Sequence, residues 1–185
     1  MQWQNVLAVA VLAIGLSACA VYPPERYGFQ AEPFYTLDAG DEVRIVVFEA
    51  DTLEQYFKVS ASGHVSMPVV GNVDVRGKTT QQVEHAIAGR LRGNFIAAPQ
   101  VSVQVVRYRP FFVQGAVKSA GQFPFVPGLT VEAAVAIAGG YTQRANLAEA
   151  RLVRPGPDGS TIVSYVPGGY PIQPGDKIFV PERWL

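Results

Sequence analysis

Tyr35-Thr-Leu-Asp-Ala-Gly-Asp-Glu-Val-Arg-Ile45 is restated near the other end of the chain as Tyr170-Pro-Ile-Gln-Pro-Gly-Asp-Lys-Ile-Phe-Val180. Each stretch holds a tyrosine, an aliphatic residue two positions on, a Gly-Asp pair, and then alternating apolar positions. Gly40 or Gly175 supplies a turn in which φ is free to be positive. Asp41 or Asp176 is the residue type that bonds nearby backbone in turns, and a strand starts directly after it. The pair reads as a strand-entry corner used twice. The opposing reading makes the two aspartates metal ligands or an acid–base pair. That needs converging partners, and neither copy contains His or Cys. No metal and no cofactor is expected.

Around these corners the chain divides into two β-rich halves, an α+β pattern overall. Glu42 to Glu49 is β-branched and loosely alternating, the mark of a strand. Lys58 to His64 reads as strand, turn and return, and Val65 to Val75 continues it with apolar residues at period two. Thr79 with Gln82 forms a capping-box signature, and Val83, Ile87 and Leu91 share one helical face. Pro99 to Arg107 alternates cleanly as a strand. The second half starts at Pro110, with strands expected over Phe111–Val117 and Gly121–Val126. Thr130 caps a short helix over Val131–Ala138 that Gly139-Gly140 ends. Ala150–Arg154 and Thr161–Val166 read as a hairpin around Asp158-Gly159, and Asp176–Pro181 as the last strand.

Composition narrows the function. Fifteen basic and fifteen acidic residues give a formal charge of zero, without the basic excess of a nucleic-acid protein. Charged residues are 16%, against about 25% in typical domains. With 14 prolines and 18 glycines, this fits a turn-rich β chain, or one that buries surface against copies of itself. Enzyme motifs are scarce. His64 follows a glycine at a turn, and His85 lies beside Glu84 on the first helix, each without a visible catalytic partner. Gly139-Gly140 lacks the spacing and the lysine of a phosphate loop.

The opening of the chain reads as an address. Val6 to Leu16 is apolar apart from one glycine. It is shorter than the roughly 20 residues of a membrane span, and has the length of a signal-peptide h-region. Leu16-Ser17-Ala18-Cys19 follows directly and resembles the bacterial lipobox, in which the cysteine is acylated and becomes the mature N-terminus. That resemblance makes residues 1–18 a lipoprotein signal peptide and Cys19 the lipidated residue. The proline-containing stretch 19–33 becomes a tether to a stable, multiply acylated anchor. Ala20, where an aspartate retains such proteins at the inner membrane, implies the outer membrane.

Taken together the motifs resemble the outer-membrane polysaccharide export lipoproteins of Gram-negative bacteria. The pattern YxLxxGDxVxI with Val65-Ser-Met-Pro-Val-Val-Gly-Asn-Val-Asp-Val-Arg-Gly-Lys-Thr79 is similar to their N-terminal export domain, placed at 34–109. Phe112-Val-Gln-Gly115-Ala-Val-Lys118-Ser-Ala-Gly121-Gln-Phe123-Pro, Gly128-Leu-Thr130 with Ala138-Gly-Gly-Tyr141, and Pro174 to Pro181 resemble one soluble-ligand-binding β-grasp (SLBB) module, placed at 110–185. Ala120 stands where the family often has proline.

The resemblance implies a non-enzymatic, outer-membrane-anchored periplasmic subunit, forming a homo-oligomeric ring or collar for capsule or exopolysaccharide polymer. Its implied partners are that polymer and an inner-membrane polysaccharide co-polymerase tied to a tyrosine kinase. The chain stops at Trp184-Leu185, so the reading is of a short form without the C-terminal pore helix, served by a separate outer-membrane barrel protein. Arg107-Tyr108-Arg109, between the halves, alternates cations with an aromatic ring and is a candidate polymer contact. The favoured reading of the same residues is a strand-to-strand linker with an aromatic core plug, since paired aromatics usually serve packing. Two other functions stay open: a monomeric periplasmic module binding a soluble carbohydrate or small ligand, and a cell-envelope hydrolase.

Overall fold

A computed structural model of the protein describes residues 35–48, 53–93, 95–156 and 160–183. The signal segment 1–18, Cys19, the tether 19–33, the hairpin tip at Asp158-Gly159 and the end at Trp184-Leu185 lie outside the described residues. The fold is α+β, with two hydrophobic cores in chain order.

The first core is built on strands β1 (Glu42–Phe48) and β2 (Leu53–Lys58), the hairpin β3 (His64–Met67) and β4 (Gly71–Asp74), helix α1 (Thr80–Leu91) and strand β5 (Gln100–Arg107). β1 lies between β2 and β5 and is antiparallel to both. Its alternation puts Val43, Ile45 and Val47 on the inner face, against Val65 and Val73 of the hairpin and Val83, Ile87 and Leu91 of α1. Thr79 caps α1 as the sequence requires. Its side chain accepts from Gln82 N–H, and the Gln82 side chain accepts from Thr79 N–H. The outer edge of β5 is partly closed by α1, where Glu84 Oε1 accepts from Val103 N–H at 2.8 Å.

The second core is built on β6 (Phe111–Gly115), β7 (Gly121–Phe123), α2 (Val131–Ile137), β8 (Ala150–Pro155), β9 (Thr161–Val166) and β10 (Lys177–Val180). The sheet order is β7-β6-β10-β8-β9, with β10 parallel to β6 and every other pair antiparallel. α2 lays Val131, Ala134 and Val135 onto Phe111, Val113, Leu152 and Ile178. β7 and β9 are the edges of this sheet.

Three details depart from the sequence reading. β2 is a partner of β1, not of β3; its Phe57 lies opposite Val43, so the bend at Ser60–Gly63 hands the chain to a separate hairpin. The period-two run from Val65 does not continue through Val70. Pro68 carries no N–H for a ladder, and the turn forms there, leaving Val69 at φ 69° and 68% exposed. A β-branched side chain is strained in that region. The strands expected over Phe111–Val117 and Gly121–Val126 end earlier, at Gly115 and Phe123. Among the described residues no helix is long and apolar enough to cross a membrane.

Candidate functional site

The two Gly-Asp corners are the same device. In the first, Asp41 N–H donates to Asp38 O at 3.2 Å and Gly40 has φ 96°. In the second, Asp176 N–H donates to Gln173 O at 3.1 Å and Gly175 has φ 86°. A glycine at positive φ as the third of four turn residues is the type II signature, and Pro174 before Gly175 adds its second mark. The carboxylates turn back on their own loops: Asp41 Oδ2 accepts from Asp38 N–H at 2.9 Å, and Asp176 Oδ2 from Gln173 N–H at 2.7 Å. Each corner then stitches to a neighbouring segment. Val59 N–H donates to Asp41 O at 2.8 Å, and Phe112 N–H to Asp176 O at 2.9 Å.

Both aspartates are fully buried, and a buried charge demands a partner. Each has an arginine that the local sequence does not announce. Arg154 binds Asp176 with two nitrogens, Nε to Oδ1 at 2.9 Å and Nη2 to Oδ2 at 2.8 Å. Arg109 binds Asp41 through its backbone N–H, 2.8 Å to Oδ1, and through Nη1, 3.2 Å to Oδ2. The tyrosines complete both groups. Tyr35 OH donates to Asp41 Oδ2 at 2.6 Å and accepts from Arg109 Nη1 at 2.8 Å. The Tyr170 ring centroid lies 5.9 Å from the Arg154 guanidinium carbon. Burial, then the bond to Asp41, drives the Tyr35 phenol far above the usual tyrosine range. Burial alone lowers the pKa of Arg154, but the hydrogen bond and charge of Asp176 outweigh it and leave the guanidinium more firmly protonated.

Arg109 touches both corners. Its Cβ is 3.5 Å from where a β-carbon on Gly40 would lie, and its Nε is 2.8 Å from the same position on Gly175. Gly175 N–H donates to Pro110 O at 3.1 Å. The linker between the two cores is thus gripped from both sides. Tyr108 adds an aromatic seam: its ring is edge-on to Tyr35 at 4.9 Å and to Phe125 at 5.6 Å.

The three linker residues therefore have different surroundings. Arg109's side chain is 19% exposed and engaged with Asp41 and Tyr35. Tyr108 is half-buried between the cores. Arg107 projects outward, with a side chain 75% exposed and Nη1 3.3 Å from Glu42 Oε1. Arg107 and Tyr108 line an open groove of about 470 Å³, with Pro110, Phe123, Phe125 and Pro127 opposite. This groove presents aromatic and proline faces with one exposed cation at the rim. A second depression, of about 430 Å³, is polar and lined by Lys58, Ser60, Ser62, His64, Ser66 and Asn72. His64 and His85 are both exposed enough to bond locally, His64 Nδ1 3.3 Å from Ser62 Oγ and His85 Nδ1 2.7 Å from Gln81 O. Among the described residues no three His, Cys, Asp or Glu side chains converge.

Residues 30–106 match the family profile described as polysaccharide biosynthesis/export protein, and residues 110–164 match that of the SLBB domain. The chain is 33% identical over 124 residues to the exopolysaccharide production protein ExoF of Rhizobium meliloti, a match covering 60% of this chain and 30% of that protein. It is 30% identical over 128 residues to the EPS I polysaccharide export outer membrane protein EpsA of Ralstonia nicotianae, covering 67% and 33%. With the capsule polysaccharide export outer membrane protein CtrA of Neisseria meningitidis it shares 38% over 100 residues, covering 52% and 25%. The chain thus spans about a third or less of the length of these relatives.

Proposed function

We propose, from the premise that the chain belongs to the polysaccharide biosynthesis/export family and carries an SLBB domain behind its export domain, that it is an export subunit for extracellular or capsular polysaccharide at the outer membrane of a Gram-negative bacterium. The observation that carries this reading is the order of the two domain matches, one on each hydrophobic core. The subunit sits on the periplasmic face, held by acyl chains on Cys19. It does no covalent chemistry on the polymer. It works with an inner-membrane polysaccharide co-polymerase.

Translocation of a hydrated polymer calls for a passage of fixed width, and copies of a small β protein make one by cyclic closure. β9 supports that role. Among the described residues it is an edge strand, paired only with β8, and it carries Ile162, Val163 and Tyr165 at 50%, 55% and 53% exposure. Such an edge is a hazard in a monomer and an asset in a ring. In this arrangement the groove beside the linker faces the polymer, with Arg107 as its cation and Tyr108 in its wall. Arg109 holds the linker in place. Light scattering of the purified chain tests the ring: assemblies of defined stoichiometry support it, and a monomer at every concentration supports a single-site binder instead. Deletion of the gene with assay of secreted polymer tests the export role.

A further inference from the structure

The three-stranded sheet β2-β1-β5 has an inner face buried under α1 and the β3–β4 hairpin, and an outer face on which β1 places Glu42, Arg44, a buried Val46 and a half-exposed Phe48. Register assigns the outer face. Glu42 lies opposite Lys58 and Arg107, and Arg44 opposite Tyr56 and Gln104. These side chains are organised. Arg44 Nη2 donates to Gln104 Oε1 at 2.6 Å, and Arg44 Nη1 to Glu54 Oε1 at 3.3 Å. Tyr56 OH donates to the same Glu54 oxygen at 3.1 Å. Tyr56 is nevertheless 65% exposed. An aromatic ring pinned by its hydroxyl and left open on its face, amid planar amide, carboxylate and guanidinium groups, is ordered before any ligand arrives, which lowers the entropy cost of binding.

We infer that this outer face is a saccharide platform centred on Tyr56 and Arg44, taking a run of pyranose rings of the polymer; the inference rests on the export role proposed above. A pyranose ring has an apolar C–H face that stacks on an aromatic ring and a rim of hydroxyls that pair with planar polar groups. Among the described residues the network uses one oxygen of Glu54 and one of Gln104, which leaves the second polar atom of each for such hydroxyls. A protein partner suits the face poorly. Interface cores are depleted of charge, and Glu42, Arg44, Glu54, Lys58 and Arg107 would all have to be dehydrated around two aromatics, Tyr56 and Phe48. Nucleic acid suits it no better, since two carboxylates are interleaved with three cations. Position supports the same occupant. From Glu42 to Val46 the face runs roughly 13 Å, a few sugar rings. Arg107 stands at its end and also lines the aromatic groove at the linker, so one polymer strand passes from the platform to the groove across a shared cation.

The test uses the full-length chain in detergent and, as probe, oligosaccharides cut from the polymer secreted by the strain that carries the gene. Affinity electrophoresis of wild type, Tyr56→Ala, Tyr56→Trp and Arg44→Ala is read beside their thermal melts. The expected result is binding by wild type, about tenfold loss in Tyr56→Ala and Arg44→Ala, and retention in Tyr56→Trp, with melts unchanged for the two Tyr56 variants. Wild-type binding that survives within twofold in both alanine variants overturns the platform and leaves the export role standing. No wild-type binding overturns the platform as well. If the deletion strain then secretes polymer normally, the export role falls with it.

Discussion

Arg109 Nε lies 2.8 Å from the point where a β-carbon on Gly175 would stand. One residue pairs with the aspartate of the first corner and fills the space left by the glycine of the second. The repeated Gly-Asp motif is therefore more than a strand-entry turn met twice. Its two copies converge on the linker and fix how the export domain leads into the SLBB domain.

Gly175→Ala is expected to cost more than the backbone alone explains. The left-handed φ of 86° penalises any L-residue by about 1–2 kcal/mol. The new methyl would also push Arg109 off Asp41 and Tyr35, which both accept from its Nη1. Gly128 has φ 88° and open space around it, so Gly128→Ala carries the backbone term alone. Thermal unfolding followed by circular dichroism should show Gly175→Ala melting clearly below Gly128→Ala. Equal melting would mean that the Arg109 contact is not constraining.

Removing the charge of Asp41 strands Arg109 in a mostly buried position. Breaking a buried pair from one side typically costs about 3–5 kcal/mol, and an asparagine that keeps part of the hydrogen bonding should lose less, about 2 kcal/mol. Asp74, paired with Lys78 at the surface at 3.1 Å, is the contrast. Asp74→Asn should barely move a urea midpoint, as exposed pairs contribute little, while Asp41→Asn should lower it clearly.

Tyr35 makes alkaline stability diagnostic. Its folded pKa lies above the unfolded value near 10, first through burial and then through its bond to Asp41. Stability from this group is complete below the unfolded pKa and is lost as pH rises past it, because only the unfolded chain then releases the proton. The slope is at most about 1.4 kcal/mol per pH unit, less what solvent screening removes. Tyr35→Phe should be less stable at pH 7 yet show a shallower loss between about pH 10 and 11. Parallel profiles would contradict the raised pKa of the buried, Asp41-bonded phenol.

Much of this was legible from residues near one another in sequence. The capping box at Thr79 and Gln82, the α1 stripe of Val83, Ile87 and Leu91, and the Gly-Asp turns all act over a few positions, and the fold repeats them as read. What local pattern does not carry is partnership at a distance. Arg109 and Arg154 reach their aspartates across 68 and 22 positions, and nothing beside them marks either as an ion-pair partner. The tyrosine at matching spacing in both copies was the available signal, since its phenol belongs to the buried group. β2 was obscured for a related reason: its register is set by Val43 opposite Phe57 on another strand, not by its own alternation.

Linker variants should separate polymer contact from architecture. Arg107→Ala removes an exposed cation that pairs with Glu42 at the surface; it should reduce secreted polymer while melting temperature and assembly size stay at wild-type values. Arg109→Ala should lower the melting temperature by several degrees, because it leaves Asp41 buried without its cation. A double variant would confound the two effects. Normal secretion in Arg107→Ala would remove Arg107 from the polymer path.

The most direct measurement is polymer in the culture medium of a strain lacking this gene, beside the same strain complemented with the wild-type chain. The expected result is loss of secreted polysaccharide, retention of polymer inside the cell envelope, and recovery of secretion on complementation. Undiminished secretion in the deletion strain would contradict the export role at its root.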